Sequence, residues 1–189
     1  MASSSPSRPR FRPALVFVYL LFFLSGLAAL IYQVVWVRSL SLVFGGSHLA
    51  VTTVLFVFMG GLALGGFLLG ARADRARHPL RLYAVLEIGI ASSAAAFYLL
   101  LQGYPSVYVP LARVAETNQF WLTVVRVALA SLGMLVPTTL MGGTLPVLSR
   151  FVAGRSDSLR GHLAFLYALN TLGAVVGTLG ALGFVFELL

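Results

Sequence analysis

At 189 residues, with 59% of them hydrophobic and only 10% charged, the chain carries far less charge than the roughly one quarter typical of a soluble domain. A mean hydropathy of +0.96 and repeated apolar runs of near-spanning length place it in the helical membrane class. Its net charge of +8 comes from arginines set between those runs rather than along one polar face, a pattern of membrane topology rather than nucleic-acid binding, and with no cysteine there is no disulfide, thiolate or Cys-ligated metal chemistry.

Residues 1–13 (MASSSPSRPRFRP) are polar, basic and Ser/Pro-rich, which predicts a disordered tail. The apolar run 14–37 exceeds the 7–15 residues of a signal-peptide core, so it reads as a retained first span. A short connector over 38–46 leads to the second span, 47–71, whose 25 residues contain no ionised group and reach about 37 Å at the helical rise. RADRARHPL forms an arginine-rich turn, and 81–102 is the third span, with the lone acid Glu87. The segment 103–119 (GYPSVYVPLARVAETNQ) is expected to be a loop on the membrane surface, with Tyr104, Tyr108 and Trp121 in an interfacial aromatic belt. The fourth span, 120–149, is too long for one straight crossing, and kinks are expected at Pro137 and Pro146. After a polar connector, 163–187 is the fifth span. The expected fold is an all-α, polytopic bundle of about five transmembrane helices in one domain over 14–189, or six membrane elements if 137–146 is re-entrant.

Arginine placement predicts orientation. Ten of the thirteen arginines fall on the tail, the 72–81 turn and the 150–160 connector, against Arg38, Arg113 and Arg126 on the other side. The positive-inside rule then puts the N-terminus in the cytoplasm and, with five crossings, the C-terminus across the membrane.

Glycines at four-residue spacing mark close helix contacts in lipid: Gly61 with Gly65, Gly66 with Gly70, and Gly173 with Gly177. The spacing fits packing of the second span on the fifth, and it fits self-association as well. Polar groups within the spans, Gln33, Glu87, Arg126 and Asn170, each need a partner or water at membrane depth. They either line a polar cavity for a solute or serve as buried structural pairs, and pairing Glu87 with Arg126 requires closing a vertical offset of roughly 10 Å. Trp36 followed by Arg38 reads as an interfacial anchor at a helix end. Soluble-enzyme signatures are lacking: GRSDS (154–158) has no closing glycine for a nucleophile elbow, and the mid-membrane glycine pairs follow no strand. The three histidines lack ligand spacing, so neither a metal nor another cofactor is expected.

Three stretches, SGLAALIYQVVWVRSLSLVFG, FMGGLALGGFLLGARADR and the pair PTTLMGGTLPVLSR with LYALNTLGAVVGTLGALGF, resemble the membrane region of bacterial membrane-bound spermidine synthase-like proteins. In that family a helical membrane region precedes a cytosolic aminopropyltransferase-type domain, and none of that domain's catalytic positions falls on these residues. GARADRAR is also similar to the loop between the second and third helices of major facilitator transporters. That resemblance implies a cytoplasmic latch between helix ends built from Asp74, Arg75 and Arg77. The resulting expectation is a non-enzymatic anchoring or accessory subunit of a bacterial inner membrane. It would sit in the lipid bilayer and associate with other subunits or with itself. The alternatives are a polyamine-like solute transporter half-unit and the membrane component of a split synthase.

Overall fold

The computed structural model describes residues 13–114, 119–153 and 159–187. Every element among them is helical: α1 (Pro13–Phe44), α2 (Ser47–Asp74), α3 (Pro79–Val114), α4 (Gln119–Gly142), α5 (Thr144–Ala153) and α6 (Leu159–Glu187). Long apolar segments leave no other choice in lipid, where each backbone amide must find its partner within its own segment. Five stretches are long and apolar enough to cross a membrane: Pro13–Phe44, Ser47–Asp74, Pro79–Gly103, Phe120–Ala153 and Arg160–Gly183.

The helices overrun several of the expected boundaries. α1 continues through Arg38 to Phe44, so the connector shrinks to Gly45 and Gly46. Gly45 ends the helix with a positive φ of 72°, and its N–H closes onto the Ser41 carbonyl at 3.1 Å. This is a left-handed cap, a conformation that glycine adopts without a Cβ penalty. Because α1 runs on, Trp36 lies inside it and is 1% exposed, stacked on Tyr32 (5.7 Å) and edge-on to Phe97 (5.8 Å). It is a core residue rather than the interfacial anchor expected. Residues 103–114, expected as a surface loop, extend α3 instead.

The fourth crossing breaks at one place rather than at two prolines. Pro137 is fully buried within a continuous α4, although it costs that helix one backbone hydrogen bond. The break falls at Gly142–Gly143. The Gly143 N–H turns back to the Leu140 carbonyl (3.1 Å), and the Thr144 hydroxyl donates to the Met141 carbonyl (2.7 Å). Pro146 sits in the first turn of α5, where an N–H would lack an intrahelical acceptor in any case. α4 and α5 together make one crossing.

Two buried clusters hold the bundle. One joins Trp36 and Leu40 of α1 to Phe58 of α2, Phe97 of α3 and Met134 of α4. The other gathers Val18 and Phe22 of α1, Tyr83 of α3, Leu148 and Phe151 of α5 and Leu166 of α6 around the arginine-rich end. Early α1 thus meets late α2, early α3 and early α6, the pattern of helices that alternate in direction.

Candidate functional site

The small residues decide which helices touch, and the pairing differs from the one expected. α2 packs most extensively on α4 and α6 on α1; α2 and α6 are not close partners. Gly61 lies against Thr138, and Gly65 lies against the Thr139 carbonyl and Gly142. Gly142 in turn lies against the backbone of Leu62. Gly173 abuts the backbone of Phe23, Gly177 abuts that of Leu27, and Gly26 faces Asn170. Contacts that advance by four residues on both members show that each pair runs parallel: α2 with α4, and α1 with α6. In a chain that alternates direction, helices two or four crossings apart are parallel. A Cβ at Gly66 would meet only the Gly142 carbonyl, at 3.8 Å, and one at Gly70 would meet nothing within 4 Å, so neither takes part in a close crossing.

Between these pairs lie the polar groups. The Ser25 hydroxyl on α1 donates to Glu87 Oε1 on α3 at 2.8 Å. One turn before Glu87, the Tyr83 hydroxyl donates to the Leu21 carbonyl at 3.4 Å, and it also interacts with the Glu87 side chain. These contacts give a carboxylate at membrane depth the neutral donors that it needs. Glu87 faces a cavity of about 40 Å³ walled by Ser25, Tyr32, Ile90 and Met141, room for no more than a few waters. Ser25, Ala29 and Met141 also border a larger space of about 380 Å³ that reaches Thr144, Tyr167 and Asn170. This larger space lies where the α1–α6 pair meets the α2–α4 pair. Asn170 closes it on α6, with its side-chain oxygen over Gly26.

The four predicted cavity residues are therefore not brought together. Glu87 and Asn170 line neighbouring spaces joined at Ser25. Arg126 lines a separate, mostly apolar space of about 630 Å³ with Leu40, Phe97 and Leu101. Phe97 is ten residues along α3 from Glu87, roughly 15 Å of helix, so the two charges sit at different levels of the bundle. Gln33 is half-buried on α1 and borders none of the three spaces. Sequence reasoning missed Ser25 and Tyr83, although the spacing of Tyr83 to Glu87 across one helical turn was a usable signal. At the arginine-rich turn, Asp74 is exposed at the end of α2, with Arg75 as its C-cap. Asp74 makes no ion pair among the described residues, so these residues show no carboxylate–guanidinium latch. An acid in the last turn of a helix meets the negative end of the dipole and gains nothing from it.

The chain matches no family model, and searches of curated proteins and of solved structures return no match. Its class rests on the fold: a multi-pass helical membrane protein built from two close-packed parallel helix pairs, with α3 and α5 packed alongside.

Proposed function

We propose that the chain is a non-enzymatic membrane module that anchors or supports other protein subunits in a bacterial inner membrane, with its arginine-rich end in the cytoplasm. The observation that supports this reading is the small part of each crossing that the chain covers by itself. Within an 18-residue apolar window of each spanning stretch, only 17–28% of the residues are buried. α6 is held chiefly by α1, which leaves its other faces open to neighbours. α2 exposes Phe56, Met59 and Phe67 beside Gly60, where an added Cβ would meet nothing within 4 Å. A small residue beside large apolar ones provides the notch that a further transmembrane helix can enter. Affinity purification in a mild detergent, followed by cross-linking and mass spectrometry, tests this: discrete cross-links from α2 or α6 to a second polypeptide are expected. Recovery of a bare monomer under several detergents, with no co-purifying protein, would overturn it.

One observation favours a second reading, passage or binding of a small cationic solute. Glu87 and Asn170 border adjoining spaces that share Ser25, and among the described residues no basic residue lines either space. Polyamine uptake into proteoliposomes that vanishes in Glu87→Gln would support it, and absence of uptake would end it.

A further inference from the structure

We infer that the turn between α2 and α3 is a binding site for the phosphate-bearing headgroup of an anionic lipid. A pocket of about 260 Å³ opens there, lined by Arg77, His78, Pro79, Leu80, Arg81 and Phe151. Two arginines and a histidine are among its lining residues, and no acidic residue lines it among the described residues. Among the described residues, the side chains of Arg77, His78 and Arg81 make no hydrogen bond or ion pair. Arg72 is different: its guanidinium turns back onto the Leu68 carbonyl at 3.3 Å. The backbone adds to the same field. The His78 carbonyl accepts the first bonds of α3 from Arg81 N–H (3.0 Å) and Leu82 N–H (3.2 Å), and no acid lies in the helix's first turn. The positive end of a 36-residue helix therefore opens beside the two arginines.

The composition of the wall points to a lipid rather than a soluble anion. Phe151 is 3% exposed and belongs to the buried cluster of Tyr83, Leu86 and Leu148, so the pocket floor is continuous with the apolar core. The rim is cationic and lies where α2 ends and α3 begins, between two stretches long and apolar enough to cross a membrane. A ligand with a phosphate and a hydrocarbon-linked glycerol matches both surfaces. Basic pockets at the ends of transmembrane helices suit such headgroups.

The test uses the full chain, delipidated in a mild detergent, with binding read by native mass spectrometry and thermal shift. The probes are phosphatidylglycerol, phosphatidylcholine of the same chain length, and inorganic phosphate. Phosphatidylglycerol is expected to be retained in preference to phosphatidylcholine and to be displaced by high inorganic phosphate. R77Q/R81Q should weaken its binding roughly thirtyfold. R72Q/R75Q removes the same charge outside the pocket and should change binding by less than about threefold. Equal losses in the two double variants would reduce the effect to diffuse surface charge and overturn the site. Unchanged binding in R77Q/R81Q, or equal retention of the two lipids, would overturn it too. Stabilisation by inorganic phosphate with no preference between the lipids would assign the pocket to a free anion and overturn the lipid assignment.

Discussion

The sharpest mechanical consequence of the bundle concerns Gly65. It is buried on the face of α2 that meets α4, and a Cβ there would stand 2.8 Å from the Thr139 carbonyl carbon and 3.0 Å from the Gly142 Cα. Both are backbone atoms, so no rotamer change relieves the clash. The Thr139 carbonyl oxygen would lie closer still, so α2 and α4 must separate by on the order of 1 Å or more to restore ordinary contact. Overpacking of this kind costs about 1–3 kcal/mol. Against it stands a gain of about 1 kcal/mol, because alanine is the better helix former. Gly65→Ala should therefore destabilise by about 1 kcal/mol or more. Gly60→Ala, one turn away with nothing within 4 Å, receives the propensity gain alone. A separation of about 2 kcal/mol corresponds to about 4–8 °C in Tm for a chain of this size. Thermal unfolding of both variants in one mild detergent measures it. Equal shifts, or a Gly65→Ala protein as stable as the parent, would refute the close crossing of α2 on α4.

The same comparison on α6 sets Gly177→Ala, whose Cβ would stand 3.0 Å from the Leu27 Cα, against Gly180→Ala, which has open space. The first should lower Tm by several degrees and the second should not, as read in the same melts. Ser25→Ala removes the donor to Glu87 and should cost about 0.6 kcal/mol, the average for hydrogen bonds within membranes, and no more than about 1.7 kcal/mol. A double-mutant cycle with Glu87→Gln that shows no coupling would refute the contact. Because the chain has no cysteine, single cysteines placed at Ala76 and Trp121 report topology cleanly. With an impermeant maleimide, intact cells should label the second and not the first until lysed; the reverse pattern would contradict the orientation proposed from the arginines.

Hydropathy alone made the architecture legible, because the bilayer imposes helices on any apolar run of sufficient length. Boundaries were less legible. Arg38 and two serines looked like the end of α1, yet a polar residue does not stop a helix; Gly45, with its positive φ, does. Gly103 and the two prolines after it looked like a loop, and α3 runs through them. The four-residue spacing within each glycine pair identified close-packing faces but not their partners. Thr138 and Gly142 on α4 carry the same four-residue spacing of small residues, and so do Phe23 and Leu27 as the backbone positions that receive Gly173 and Gly177. A small side chain states that a neighbour comes close; it does not say which one.

The polar residues were picked out but wrongly grouped, for a related reason. Glu87, Arg126 and Asn170 stood out because charge and amide are rare in spans, but rarity does not place them at one level of the bundle. The arrangement of the pairs does. Backbone contact locks α1 to α6 and α2 to α4, and atoms held that closely have little room to move. The space that remains lies along the seam between the two pairs, where Ser25, Ala29 and Met141 border both polar cavities. Arg126, on α4, lines a cavity beside the later part of α3 that is bordered by neither Ser25 nor Asn170. Tight glycine crossings and seam cavities are thus two sides of one packing solution: the small residues that draw each pair together leave no bulk to fill the gap between pairs, and the polar side chains of α1, α3 and α6 occupy its walls.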